Sequence, residues 1–468
     1  MNRRNFIKSA ALGTTAILGS NTLAAARPLM RCNVNEEIGV GYIGTGIRYH
    51  TSLGRGGLKY GPCAGIADVD MIQLGRATQV AIDMHRSNNR PIAVKAHEDY
   101  RQLLDNKDVD VVFIASPDHW HTKQAIDAMR AGKDVYCEKP VTLTIEEGIQ
   151  LEKVMNETKR IFQVGTQQRT EYKQQFAKAA AIVRSNRLGK LKRVTACIGG
   201  SRVCNALPEV SVPRELNWDL WQGQAMAQKY RSAANIEDVQ GWGAGHPFSR
   251  THRYYRWFYE YSGGKLTDWG AHHIDIALLA LDKLNEDIGK IKLEVESVVH
   301  PVEFDEKGMP MSDDRFNAAT QFKVKLTFAD GTILYVRDSA QDDLGFANGI
   351  MFEGEKGRML VNRGKLVGKP VESLKSDPLD SDWYTQLFGQ PVPVSHIDNF
   401  VQSVRSRKQP ISDLSSHNLM LNICHAINVA LRLNRTITYD PAARNFGSDE
   451  VANSFVAREQ RKGYEITS

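Results

Sequence analysis

The chain has 468 residues, 42% hydrophobic and 24% charged, a balance that excludes wholesale disorder. Its formal net charge is +6, but Arg3, Arg4 and Lys8 lie in an acid-free N-terminal segment, leaving 57 basic against 54 acidic residues beyond it. The bases form no stripe interleaved with aromatics, and no run of about 18 apolar residues follows the N-terminus. Nucleic-acid partners and stable membrane insertion are therefore not expected.

The chain opens with a twin-arginine pattern, Asn2-Arg3-Arg4-Asn5-Phe6-Ile7-Lys8. An Ala/Gly/Thr-rich stretch runs from Ser9 to Leu23, and Ala24-Ala25-Ala26 offers a small-x-small cleavage site before Pro28. Residues 1–26 read as a signal peptide that exports the protein folded, which predicts a periplasmic location. Cys32 has no lipobox before it (Leu29-Met30-Arg31), so no lipid anchor is expected. The six cysteines, at 32, 63, 137, 197, 204 and 424, include no CxxC pair, and no structural zinc is expected. Cys197 and Cys204 are near enough in sequence to bridge, although small buried hydrophobes are the favoured reading.

From residue 36 onward short apolar runs alternate with amphipathic segments. Strands are predicted over 38–43, 64–67, 109–115, 134–137 and 161–164, with helices near 71–85, 98–104, 119–131 and 145–157. Thr144 and Glu147 make a capping box for the last of these helices. Such a βαβ rhythm predicts an open, doubly wound parallel sheet with helices on both faces, over 36–165. A second α/β domain is predicted over 166–468. There Phe322, Val324, Leu326 and Phe328 alternate with polar residues, and further strands follow over 332–337, 349–352 and 358–361. This pattern reads as an antiparallel meander, with helices over 172–185, 268–281, 398–405 and 417–433 covering one face.

Gly44-Thr45-Gly46-Ile47-Arg48-Tyr49 directly follows the first strand. Its two glycines permit a tight turn and a close approach of a pyrophosphate to backbone N–H groups at a helix start. Tyr49 stands where a third small residue is usual. Asp68 ends the second strand, where an acid binds the adenosine ribose hydroxyls and repels a 2′-phosphate, so NAD is favoured over NADP. Asp70 is the competing choice, better read as a solvated helix-start residue. Ser116, Pro117, His119 and His121 follow the 109–115 strand, and Glu138 and Lys139 follow the next, all at the carboxyl edge where such sheets bind ligands. Lys139 is either a group for proton transfer or a lysine snorkelling from a loop. On one helix Asp268, His272 and Asp275 share a face, as a catalytic stripe or as a buried structural cluster. No spacing among His119, His121, His272 and His273 is diagnostic of a metal, and none is expected.

These segments, with Gly132–Pro140, Val164–Arg169, Trp218-Asp219-Leu220-Trp221 and Asn348–Gly354, resemble the Gfo/Idh/MocA family, whose namesakes are glucose–fructose oxidoreductase and inositol dehydrogenase. The exported branch of that family is the most similar. The resemblance implies a Rossmann domain joined to an α/β domain with a large open, mostly antiparallel sheet, often assembled as homodimers or homotetramers. It implies that Lys139 lies beside the substrate, frequently with a cis Lys139–Pro140 bond, and that Asp268 and His272 are the catalytic Asp-x-x-x-His pair. Substrates of the family are mostly sugars and cyclitols.

The expected activity is thus NAD(P)-dependent oxidation or reduction of a carbohydrate CH–OH group. His272 would move the proton, Asp268 would orient His272, and Lys139 would polarise the reacting oxygen. Gln167, Arg169, Trp269 and Asp275 are further candidates for holding the sugar. A redox-assisted glycosidase or lyase is the main alternative, and a binding protein without turnover the second. Export implies a nucleotide that is carried out bound, retained and recycled.

Overall fold

The computed structural model describes residues 37–89, 93–233, 247–285 and 287–467; the twin-arginine segment, its cleavage site and Cys32 lie outside them. The first sheet is built from β1 (Val40–Ile43), β2 (Cys63–Ala67), β3 (Lys95–His97), β4 (Val111–Ile114), β5 (Asp134–Cys137) and β6 (Phe162–Val164). All pairs are parallel, in the order β3-β2-β1-β4-β5-β6. That is the Rossmann order, with its switch point beside β1. The inner strands are buried throughout because helices cover both faces, which is why they read as mostly apolar runs. Alternate residues face opposite layers. Val112, Ile114 and Val135 join one core, whereas Val111, Phe113 and Tyr136 join the other. Edge strand β3, Lys-Ala-His, is largely exposed and carries no apolar pattern to predict it.

The glycine turn accommodates its unusual Tyr49 by burying it. The ring packs edge-on against Tyr42 at 5.0 Å, and its hydroxyl donates to the Ala77 carbonyl at 3.2 Å. A π-helical turn over Tyr49–Leu53 makes room, and Gly54 follows where a Cβ would lie 2.7 Å from the ring. Farther on, Thr144 caps the helix Ile145–Thr158 through Glu147 N. The Glu147 carboxylate closes the box one residue early, accepting from Leu143 N at 2.7 Å.

A second sheet comprises β7 (Leu191–Cys197), β8 (Ile291–Val299), β9 (Gln321–Thr327), β10 (Ile333–Arg337), β11 (Gly349–Gly354), β12 (Gly357–Val361), β13 (Leu366–Gly368) and β14 (Ile437–Tyr439). The order β13-β12-β11-β7-β10-β9-β8-β14 corrects the expected meander. β7 inserts between β10 and β11, parallel to β10 and antiparallel to β11. Its Leu-Lys-Arg start hides an inward face supplied by Val194 and Ala196. Helix Gly270–Ala280 is buried at every residue, between this sheet and the helices Gln175–Arg184 and Leu414–Leu433.

The helix His396–Ser406 requires a second correction. Phe400, Val401 and Val404 pack on the parallel sheet, not the antiparallel one, with Phe400 edge-on to Phe113 and Tyr136. Arg407 secures the end of this helix by a paired contact to Asp134 at 2.6 and 3.0 Å. Cys63, Cys137, Cys197 and Cys424 are buried and Cys204 half-buried, and they form no disulfide. Among the described residues no helix is long and apolar enough to cross a membrane.

Gly44 has φ +79°, and a Cβ there would lie 2.3 Å from Ser116 N. Gly44→Ala should therefore lower stability by about 1–3 kcal/mol through backbone strain and clash. The urea unfolding midpoint checks this, and an unchanged midpoint would contradict it.

Candidate active site

One cavity of about 560 Å³ opens at the carboxyl edge of the parallel sheet, beneath the start of helix Gly270–Ala280. The turn after β1 places Gly44, Thr45, Gly46, Ile47 and Arg48 along it, and the loops after β2, β4 and β5 add Asp68, Ser116, Pro117, His121, Glu138 and Lys139. Gln167, Asp268, Trp269 and His272 complete the predicted residues found there. His119, Arg169 and Asp275 lie outside it.

The glycine turn and Asp68 are already joined. One Asp68 oxygen accepts Thr45 N at 2.6 Å and Thr45 Oγ1 at 2.8 Å, and the other accepts Asp70 N at 2.9 Å. Burial raises the Asp68 carboxyl, and these hydrogen bonds oppose the rise. Above Gly46 there is open space for a ligand, since a Cβ there would meet nothing within 4 Å. A tight turn at Gly44, free space at Gly46, a helix start and an acid ending β2 together fit a dinucleotide. Asp70 does start the helix, accepting from Ile72 N and Gln73 N, but it is buried rather than solvated and pairs with His252 Nε2 at 2.8 Å.

His121 fixes two of the lining loops, its ring nitrogens set against the carbonyls of Pro140 and Ser116 at 2.6 and 2.8 Å. His119 corrects its cofactor assignment. Its ring is fully buried against Trp221 and Tyr261, with Nε2 on the Trp221 carbonyl, and burial drives its pKa down to about 3. Glu138 accepts from Arg48 Nε at 2.8 Å and Gln167 Nε2 at 3.0 Å, a neutral pair at the cavity wall.

At the far end Lys139 Nζ donates to the Asp268 carboxylate, at 2.6 Å, and to the Asp268 backbone carbonyl, at 2.9 Å. The Lys139–Pro140 bond is cis. Burial would raise the Asp268 carboxyl, but Lys139, Arg256 and Lys265 hold it well below the usual carboxylate range. Asp268 therefore serves Lys139 and does not orient His272, which corrects the expected pairing. Neither His272 ring nitrogen has a partner among the described residues, and Nδ1 is buried. Burial, then the charges of Lys139 and Arg363, push the His272 imidazole well below its ordinary value, so it is neutral near pH 7.

Asp275 points away from this end. It accepts Arg169 Nε and Nη2 at 2.9 and 2.5 Å, and both side chains are at most 3% exposed. Arg169 also donates to the Ile411 carbonyl and Ser416. The two residues are a buried scaffold, not sugar-holding groups. Sequence reasoning missed Arg256, Lys265 and Arg363, which line the cavity near Asp268. Lys265 lies three residues before Asp268 in a segment already singled out, whereas Arg256 and Arg363 had no local signal. Among the described residues no three His, Cys, Asp or Glu side chains are grouped to hold a metal ion.

Comparison with known proteins agrees with this geometry. Residues 38–166 match the oxidoreductase family model with an NAD-binding Rossmann fold, and residues 202–466 match the C-terminal alpha/beta domain of the same family. The chain belongs to the Gfo/Idh/MocA oxidoreductase family. The WlbA dehydrogenase of Chromobacterium violaceum, solved with NADH and UDP-GlcNAcA, shares the fold at a TM-score of 0.57 and 17% identity, over 88% of this chain and 99% of that one. The aldose-aldose oxidoreductase of Caulobacter crescentus, complexed with glycerol, does so at 0.53 and 17%, over 86% and 99%. Among curated relatives, glycosyl hydrolase family 109 protein 1 of Shewanella sp. (strain MR-4) is 29% identical over 167 residues, 32% of this chain. The match spans 36% of that relative, so this chain aligns with about a third of the length of such relatives.

Arg169→Met should cost about 3–5 kcal/mol, because it strands the buried Asp275 charge. Arg169→Met with Asp275→Leu should recover most of the loss. Urea unfolding of both variants checks the scaffold role, and a single-variant loss below about 1 kcal/mol would refute it.

Proposed function

We propose that this protein is an NAD-dependent oxidoreductase acting on a carbinol carbon of a sugar, glycoside or cyclitol. The observation that carries the proposal is the Lys139–Asp268 pair beside an unpartnered His272, in one cavity with the glycine turn and Asp68. Relatives of the same fold add support: a levoglucosan dehydrogenase solved with NADH and L-sorbose has a TM-score of 0.53 at 16% identity. When bound, the dinucleotide supplies the hydride acceptor or donor at its nicotinamide ring.

The chain's own groups handle the proton. Neutral His272 accepts the proton of the substrate hydroxyl during oxidation and returns it during reduction. Lys139 donates an N–H to the reacting oxygen, stabilising the negative charge that develops there, while Asp268 fixes its ammonium in place. Trp269 and Gln167 stand in the wall, where they can hold the sugar.

The likeness to a glycosyl hydrolase family 109 protein favours a second reading, in which transient oxidation of the sugar drives elimination of a substituent and the hydride then returns. Product analysis separates the two: net NADH with an intact oxidised sugar, or a released aglycone with no net NADH. The proposal extends to folded export into the periplasm, supported by Arg3-Arg4 and the Ala24–Ala26 site, and to a retained, recycled nucleotide. Assembly as a homodimer or homotetramer is proposed from the family resemblance.

Lys139→Ala and His272→Ala should each reduce turnover by about 10²–10⁴-fold while the bound nucleotide is kept. Near-normal turnover in both would defeat the assignment. Because the His272 pKa lies below its ordinary 6.5, the neutral base persists as pH falls. The acid limb of kcat/KM for oxidation should accordingly lie below pH 6.5, and a limb at neutral pH would contradict the base assignment. Asp68→Ala should reduce the preference for NAD over NADP by about tenfold or more, because repulsion of the 2′-phosphate is lost. Competition of the two nucleotides for the emptied protein measures this, and an unchanged ratio would refute it.

A further inference from the structure

The end of the cavity around Asp268 holds more positive charge than its acids balance. Lys139 takes the Asp268 carboxylate at 2.6 Å, while Arg256 and Lys265 stand off at 3.8 and 3.9 Å, beyond hydrogen-bond reach. Arg363, in the turn between β12 and β13, has no ion-pair partner among the described residues. Its guanidinium stacks over Trp269 and Tyr172 at 4.5 and 4.8 Å, and its Nε is a buried donor without an acceptor. Asp118 also lines the cavity, but its oxygens accept the hydroxyls of Tyr255 and Ser262 at 2.9 and 2.6 Å. The remaining acids in the wall, apart from Glu138 with its Arg48, sit on the loops after β2 and β3, at the glycine-turn side. Charge is therefore segregated along the cavity.

A half-buried cation without an ion-pair partner, as Arg363 is among the described residues, is costly, and a guanidinium held over two rings presents its fork of N–H donors for bidentate recognition of an oxyanion. The dinucleotide's phosphates would not fill this role, because the turn at Gly44–Gly46 would receive them. We propose that the substrate is a sugar bearing a compact oxyanion, a carboxylate or a sulfate ester, seated on Arg363 with Arg256 and Lys265. The proposal rests on the oxidoreductase reading for placing a sugar in the cavity at all. It adds that this sugar is acidic. Arg363 then sets specificity by charge and by position, since it is held over Trp269, which immediately follows Asp268.

Isothermal titration of the NAD-loaded full chain with methyl β-D-glucuronide, methyl β-D-glucoside and methyl β-D-glucoside 6-sulfate tests the idea, with nicotinamide absorbance recorded in parallel. At least one anionic sugar should bind about tenfold tighter than the neutral glucoside or better, the scale of a charge-assisted hydrogen bond. Whichever is tighter identifies carboxylate or sulfate as the group recognised. Rising salt should erode the advantage. Arg363→Gln should lower the anionic-to-neutral affinity ratio about fivefold or more, whereas Arg363→Lys, which keeps the charge, should lower it less. Binding of the glucoside as tight as that of both anionic sugars, or no measurable binding of any, would overturn the proposal. So would an unchanged ratio in Arg363→Gln. Anion-selective binding with no absorbance change would defeat the redox reading and leave the acidic ligand standing. Turnover of neutral sugars without anion preference would do the reverse.

Discussion

The ammonium of Lys139 reaches both the carboxylate and the backbone carbonyl of Asp268, and much of the site follows from that contact. Lys139 lies at the start of the loop after β5, at the rim of the parallel sheet. Asp268 ends the short helix Gly264–Asp268, which leads into the buried helix under the antiparallel sheet. A double contact to one residue fixes the lysine in position and direction, which a surface ion pair between two long side chains does not do. With Asp268 engaged in this way, His272 keeps free ring nitrogens and a neutral ring. Arg256 and Lys265 share a carboxylate whose nearest place is already taken.

Around this contact the molecule spends many buried polar groups on position alone. Helix Gly270–Ala280 carries one polar group for the site and two for position. His272 turns to the cavity, His273 sits between Gln168 at 3.3 Å and Asn348 at 3.1 Å, and Asp275 holds Arg169. The last two satisfy buried groups that would otherwise be costly. They also tie the helix to the 167–169 turn after β6 and to the Asn348 end of β11. His121 and Glu147 do similar work for the loops after β4 and β5. The outcome is a rigid wall behind the cavity, the condition under which a proton-transfer group can be held within reach of a substrate.

Tyr49 shows how the fold absorbs a departure from an expected pattern. A bulky third residue in the glycine turn would block a phosphate if it pointed outward. The ring instead goes inward, against Tyr42, with a π-helical turn and Gly54 giving it space. The face of the turn that meets the cavity keeps Gly44 and Gly46, so the part that matters for a pyrophosphate is unchanged.

What was legible in the sequence was local. Short, mostly apolar runs marked β1, β2, β4, β5 and β6 because each is buried on both faces, and residue types at strand ends placed Gly44, Asp68, Ser116 and Lys139 on one edge. Edge strand β3 escaped because exposed residues carry no periodicity, and β7 because its polar start masks the buried run Val194–Cys197. The sequence could say that Asp268, His272 and Asp275 fall at helical spacing, but not that one helix ends at Asp268 and the next begins at Gly270. It could not say that Asp268 would pair with Lys139 and Asp275 with Arg169, nor that the helix His396–Ser406 would cross to the parallel sheet. Arg256, Lys265 and Arg363 converge on one cavity from two short helices and a turn, and their contacts with aromatic rings exist only once the chain is folded. Backbone periodicity and turn chemistry are written in neighbouring residues. A side chain's partner is chosen by which distant surfaces packing brings within a few ångströms, and that decision belongs to the tertiary structure alone.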